Sequence, residues 1–284
     1  MKKIILLLAL VISLSACKDG ATKTAKTSEQ SVESETNWGT INDYGIAVID
    51  DSKAWWSYHY YEINLNSNFV PLSTDSTYLK KADFLNQIIE DQLLPIKILG
   101  EEGISTYKLY PVQGTARESV ISTIKNEAQT ALQFHEMKGM TFPDVDFTTI
   151  EGKKWTTERL KGKFVVYKTW FINCTACIKE FPELNEFVDQ NKDENVVFIS
   201  LALDEESELK KFLKTKEFDY QTVAKQSDLI TNQLGLNVYP THILVSPSGT
   251  IVYTSNSATK MIDFIDKNGG FSLPPPPPPP SGNN

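Results

Sequence analysis

The sequence predicts an α/β fold, a central sheet flanked by helices, preceded by a small α+β unit. Three observations carry this: strand-like and helix-like runs alternate from about residue 140 and close on a hairpin, the stretch before it mixes both types without alternation, and 284 residues exceed one typical domain without filling three. A hydrophobic fraction of 40% and a charged fraction of 23% are ordinary for a globular chain, and no internal segment is long and apolar enough to cross a bilayer. The formal net charge of -8, with no basic cluster along the chain, argues against nucleic acid as a partner.

The N-terminus reads Met1, Lys2, Lys3, an apolar run from Ile4 to Leu14, then Ser15-Ala16-Cys17, the pattern of an export signal. Leu14-Ser15-Ala16-Cys17 resembles the lipobox of bacterial lipoproteins, which implies cleavage after residue 16 and a lipid on Cys17; the plainer alternative is an ordinary signal peptide with an incidental cysteine. Cleavage removes Lys2 and Lys3, leaving 26 basic against 36 acidic side chains and a net charge of -10. The expected location is the periplasm or cell envelope, with the chain lipid-anchored to a bacterial membrane. Residues 17–37, rich in Ser, Thr, Lys and Glu, read as a solvated tether.

Residues 38–137 are expected to form the small α+β domain. Tyr44 to Ile49, Trp55 to Leu65 and Thr106 to Val112 are aromatic and β-branched and read as strands. Ser76 to Leu94 carries apolar residues at three-and-four spacing and reads as a helix that Pro95 stops. Thr115 to Met137 reads as a second helix, with Val120, Ile121, Ile124, Ala128, Ala131 and Leu132 on one face, bridging the two halves.

Residues 138–268 carry the alternation. Phe164 to Trp170 is a buried-strand run, followed by a helix that opens at Cys174 and runs to about Gln190. A strand over Asn195 to Leu203, a helix over Glu205 to Leu213, a short strand near Tyr220 to Val223 and a helix at Asp228 to Leu234 come next. Val238 to Ser246 and Thr250 to Tyr253 form a hairpin through Ser246-Pro247-Ser248-Gly249. Residues 269–284, with prolines 274 to 280, read as a polyproline or disordered tail.

Three cysteines are present, and with Cys17 committed to lipid only Cys174 and Cys177 remain. An exported pair of thiols meets an oxidising compartment, so the pair needs a redox explanation. Three residues apart at the start of a helix, the two side chains share a face at a separation that a disulfide can close. The first sulfur faces unpaired backbone N–H groups, which favours thiolate, so Cys174 is the expected nucleophile and Cys177, one turn deeper, the resolving thiol. A zinc site would need four ligands, and His59, His135 and His242 are scattered without paired spacing.

The surroundings of the pair resemble the thioredoxin superfamily and, within it, the exported TlpA/ResA-like branch. Trp170 stands four before Cys174, Pro182 five after Cys177, Glu180-Phe181-Pro182-Glu183-Leu184 is similar to the branch's E-x-P-x-L run, and Tyr239-Pro240-Thr241 precedes an apolar strand. Over roughly residues 140 to 268 this resemblance implies a thioredoxin-like fold and a cis Tyr239–Pro240 bond beside the cysteines. It also implies a substrate-binding surface from Trp170, Tyr239 and Pro240, and a Cys174–Cys177 disulfide cycle that needs no cofactor. Glu180 matches a glutamate near the active site in that branch, able to move the Cys177 proton or to stand as a solvated helix residue. Lys168 occupies the place where thioredoxin has a buried acid, as a partner of Glu180 or as a snorkelling side chain. Asn173 departs from the tryptophan common before the first cysteine, and Thr175-Ala176 from the usual intervening pair.

The resemblance implies a membrane-anchored reductase or isomerase of disulfides in exported proteins, recharged by a membrane electron-donor thiol carrier. Two alternatives stand beside it. One is a thiol peroxidase, although its P-x-x-x-T-x-x-C pattern would need Pro and Thr where the chain has Tyr167 and Phe171. The other is a copper(I) chaperone using Cys174, Cys177 and His242.

Overall fold

A helix stands where the sequence predicts a strand. In the computed structural model, which describes residues 52–91, 93–98, 104–111, 118–192 and 194–272, Ser52–Glu62 forms helix α1. Aromatic enrichment argues for extended chain, but Trp55, Tyr58 and His59 are buried while Trp56, Tyr60 and Tyr61 are exposed. That is the three-and-four rhythm of a helix with one covered face. Residue type and period disagree here, and period prevails. Cys17 with its signal segment, the tether, the strand expected over Tyr44 to Ile49 and the run of prolines lie outside the described residues.

Strand β1 (Phe69–Leu72), helix α2 (Lys81–Asp91), and strands β2 (Leu93–Ile98) and β3 (Ser105–Pro111) follow. They form a sheet ordered β1-β3-β2, with β1 parallel and β2 antiparallel to β3. The helix expected over Ser76 to Leu94 is therefore shorter at both ends. At its start, Ser73 Oγ and Asp75 Oδ1 accept the Thr77 N–H, closing a turn that competes with helix. At its end, Leu93 and Leu94 belong to β2, and Pro95 lies inside a strand instead of ending a helix. The Lys97 N–H donates to the Tyr58 hydroxyl of α1 at 2.6 Å, so it points away from β3. Pro95, two residues earlier, turns its nitrogen the same way, and its missing N–H costs the ladder nothing. Helix α3 (Glu118–Met137) lays Val120, Ile124, Ala128 and Ala131 against this first core and Phe134 and Met137 against the next.

A small antiparallel hairpin, β4 (Asp146–Thr148) with β5 (Lys154–Thr156), and a one-turn helix α4 (Thr157–Leu160) lead into β6 (Phe164–Trp170). Helices α5 (Thr175–Lys179) and α6 (Phe181–Gln190), β7 (Val196–Ala202), α7 (Glu206–Leu213) and β8 (Gln221–Val223) come next. A π-helical turn over Asp228–Gln233 precedes β9 (Thr241–Val245), β10 (Ile251–Ser255) and α8 (Ala258–Lys267). The five strands are ordered β10-β9-β6-β7-β8; β6, β7 and β8 run parallel, and β9 is antiparallel to both β6 and β10. All seven residues of β6 are buried, as expected for a central strand covered on both faces.

The strand and helix order from residue 164 matches the sequence expectation closely, with one omission: α8 is not foreseen. Its Ala258, Met261 and Ile265 bury one face, and Ser257 caps it by accepting from the Lys260 N–H. Gly270–Ser272, placed by the sequence in the tail, make a 3-10 turn whose Phe271 is buried against Phe164 and Phe187.

The helical assignment of α1 has a direct test. Trp55→Ala should cost about 3–5 kcal/mol in urea unfolding and Trp56→Ala less than about 1 kcal/mol. Equal losses would contradict a one-faced helix.

Candidate active site

The site is built at the ends of β6 and β9 and at the helix that follows β6. Trp170 ends β6, the loop over 171–173 is held by the Ile172 N–H donating to Asp204 Oδ2 at 2.9 Å, and Cys174 then caps α5. Cys174 and Cys177 are joined in a disulfide with Cα atoms 5.2 Å apart. The Cys177 N–H donates to Cys174 Sγ at 3.2 Å, so a thiolate formed there faces a backbone donor. Cys174 is 7% exposed and Cys177 0%, which leaves the first sulfur as the one an incoming group can reach. Asn173, Thr175 and Ala176 around them are exposed. Pro182, in the first turn of α6, lacks the N–H that would continue α5, and the chain breaks at Glu180.

The Tyr239–Pro240 peptide is cis. Its loop is tied down by Thr241, whose N–H donates to Thr169 Oγ1 at 3.1 Å and whose hydroxyl donates to the Val238 carbonyl at 2.6 Å. Tyr239 is half-buried and packs edge-on against Phe171 at 5.4 Å. Trp170 does not join the substrate-binding surface expected of it. It is fully buried, edge-on to Phe181 at 5.1 Å and packed against Phe212 and Phe218, so it presents no surface to a substrate and instead supports the redox helix from below.

Lys168 does not snorkel. It is 0% exposed, and its Nζ donates to Glu180 Oε2 at 2.5 Å. The same oxygen accepts from His242 Nε2 at 3.0 Å, while Glu180 Oε1 accepts the Ala258 N–H at 2.9 Å from the first turn of α8. Three elements, β6, β9 and α8, thus converge on one carboxylate. Burial alone would raise the Glu180 carboxyl, but the hydrogen bonds and charges of His242 and Lys168 outweigh it and hold the group at about 2. Burial lowers the Lys168 ammonium against the pull of Glu180. Burial lowers the His242 imidazole too, with the Lys168 charge adding to it.

His242 is the member that the sequence places elsewhere, as a copper ligand. Strand register puts it opposite Lys168, its Nε2 is engaged by Glu180, and no cluster of three metal-ligating side chains occurs among the described residues. The available signal is its position inside the apolar run Thr241 to Val245, where a buried imidazole demands a partner. The cluster also sits in a longer feature. Thr222, Ser200, Lys168, His242 and Ser255 are register partners across β8, β7, β6, β9 and β10, all fully buried, with Ser200 donating to Thr222 at 2.9 Å.

Residues 139–254 match the model of the AhpC/TSA family. Among curated proteins, the thiol-disulfide oxidoreductase ResA of Bacillus cereus is 31% identical over 115 residues, 40% of this chain and 66% of that protein. ResA of Bacillus subtilis is 24% identical over 116 residues, 40% of this chain and 65% of its own. The chain therefore spans just under two thirds of the length of the curated relatives it matches. Among solved structures, the thioredoxin domain of a thiol-disulfide oxidoreductase from Bacteroides vulgatus aligns with TM-score 0.42 at 24% identity, covering 46% of this chain and 96% of that one.

The Glu180 cluster sets a stability prediction. Glu180→Gln strands a buried ammonium and should cost roughly 3–5 kcal/mol. The Glu180→Gln/Lys168→Met double variant should cost less than the sum of the singles, and additive losses would contradict the pairing. The carboxyl falls from an ordinary 4.5 to about 2 on folding. Its contribution of roughly 3 kcal/mol is therefore whole above pH 4.5 and lost as pH falls through 2. Urea unfolding between pH 7 and 2 should show this decline in the native chain and a flatter profile over that acid window in Glu180→Gln.

Proposed function

We propose, on the premise that residues 139–254 are a TlpA/ResA-like domain of the thioredoxin superfamily, that the chain is a thiol-disulfide oxidoreductase working through a Cys174/Cys177 dithiol-disulfide cycle. The observation that carries this is the disulfide at the start of α5, with its first sulfur the more exposed and facing the Cys177 N–H, in a region that also holds the cis proline.

In the reducing direction the Cys174 thiolate attacks one sulfur of a substrate disulfide. The substrate S–S bond breaks, its second sulfur leaves as a thiolate and takes a proton from solvent, and a mixed disulfide remains. Cys177, after losing its proton, attacks Cys174 Sγ and releases the first substrate sulfur. Two electrons have passed to the substrate and the chain carries the Cys174–Cys177 bond. Attack by another substrate thiol on the mixed disulfide would instead isomerise the substrate. The backbone at Tyr239, fixed by cis Pro240, is the edge on which an extended substrate segment would lie.

Glu180 and Lys168 serve as positioning residues, together with His242. With its carboxyl held at about 2 by His242 and Lys168, Glu180 is a poor acceptor for the Cys177 proton. Its carboxylate instead fixes the end of the redox helix against β6, β9 and α8. The peroxidase alternative lacks its pattern, since Tyr167 is buried and stacked on Phe142 at 4.3 Å.

The physiological setting follows from the N-terminal signal: a lipid on Cys17 anchors the chain in the bacterial envelope, its substrates are disulfides of exported proteins, and a membrane thiol carrier returns the oxidised pair to the dithiol. Cys177→Ser should accumulate mixed disulfides with substrate proteins on non-reducing gels while Cys174→Ser does not; equal trapping, or the reverse, overturns the assignment of nucleophile. Cys17→Ser should move the chain from the membrane to the soluble envelope fraction, and retention at the membrane would remove the lipid anchor.

A further inference from the structure

The chain is acidic overall, yet one hollow gathers lysines. A cavity of about 500 Å³ opens between the loop before β1, the start of α2, the end of α3, β10 and α8, and Lys81, Lys138, Lys260 and Lys267 line it. They are far apart in sequence, so no basic run announces them. Asp263, the one acid in the lining, takes Lys267 at 3.4 Å. Among the described residues no carboxylate pairs with Lys81, Lys138 or Lys260. The Lys81 ammonium is held by the Ser67 carbonyl at 2.8 Å and stands 5.0 Å from the centre of the Phe69 ring. Burial, reinforced by the Lys138 charge, lowers it to about 8. Burial also lowers Lys260, with the Glu127 charge opposing it, and its Nζ reaches Asn64 Oδ1 at 3.4 Å. Gathering like charges this way is unfavourable unless an anion completes the set.

A second observation points the same way. Thr254, 4% exposed, lines the cavity, and its hydroxyl has no hydrogen-bond partner among the described residues. A buried hydroxyl left unpaired is unfavourable, and a ligand oxygen accepting from it would recover that loss. The rest of the wall is mixed: Asn64, Asn66, Ser67, Asn68 and His135 are polar, while Phe69 and Phe134, both buried, and Phe264, stacked on Tyr253 at 4.0 Å, supply an apolar part. The volume is that of a small-molecule site.

We propose that this cavity binds a small organic anion, a charged oxygen group on an apolar or aromatic body. The charged oxygens meet Lys81, Lys138 and Lys260, the Thr254 hydroxyl donates to one of them, and the apolar body lies on Phe69 and Phe134. None of these residues belongs to the cysteine site, so the inference stands or falls separately from the redox cycle.

The test uses the full chain and three probes, phenyl phosphate, inorganic phosphate and phenol, titrated by calorimetry at low salt. Phenyl phosphate should bind with Kd below about 1 mM and at least about tenfold tighter than either of the others. Lys138→Glu/Lys260→Glu should weaken it at least about tenfold while insulin-disulfide reduction by the same chain is unchanged. Should that variant fail to fold, Lys138→Gln, at an exposed position, must weaken binding at least about threefold, and Thr254→Val must weaken it further. Absence of binding to the native chain at about 10 mM, equal affinity for inorganic phosphate, or unchanged affinity in the lysine variants would each overturn the proposal.

Discussion

A lysine ammonium with no exposed surface, in the middle of the central strand, is the constraint on which the redox region depends. Removing such a charge from water costs several kcal/mol, and only a well-placed counter-charge with further hydrogen bonds offsets it. Glu180 supplies that charge from the break between α5 and α6, so the end of the redox helix is drawn onto the sheet. Its second oxygen takes the first N–H of α8, and His242 closes the set from β9. The carboxylate therefore fixes the angle at which α5 leaves the sheet, and with it the place of Cys174 and Cys177. The ammonium that threatens the fold becomes the pin that orients its chemistry.

The polar row through Lys168 divides one face of the sheet. On one side lie Val166, Phe198 and Leu244 under α6 and α8; on the other lie Trp170 and Ala202 beneath the cysteines. The division places a dry aromatic floor under the disulfide and keeps charge one row away from it. Working groups collect beyond the carboxyl ends of parallel strands β6 and β7, where such sheets commonly carry their sites. Helix α8 is shared more widely. Its Ala258 N–H meets Glu180, and Lys260, two residues on, faces the cationic cavity, so one helical turn borders both regions.

Much of the redox region is legible in the sequence because its signals are local. Phe164 to Trp170 is an unbroken apolar strand run apart from Lys168 and Thr169, and the spacing of Cys174, Cys177 and Pro182 is fixed by helix geometry. The N-terminal region is harder, since its signals conflict. Trp55 to Glu62 is strand-like by residue type and helical by period, and only the burial of one face decides. Pro95 looks like a helix stop, and nothing local reveals that it lies on a strand whose outer edge is covered by Tyr58. Helix α8 is short, and its cap, Ser257, is easily taken for part of a loop. The partners of His242 and the grouping of the cavity lysines are hidden for another reason: they lie far apart in sequence, and only strand register and tertiary packing bring them together.

On this reading the Cys174–Cys177 bond is a working couple and not a structural staple. Equilibrating the folded chain with graded ratios of reduced to oxidised dithiothreitol or glutathione, then alkylating and weighing the products, measures this directly. One reversible two-electron transition is expected, in which both thiols appear together and the chain stays folded at either end. A bond that opens only when the protein is unfolded by denaturant would contradict it.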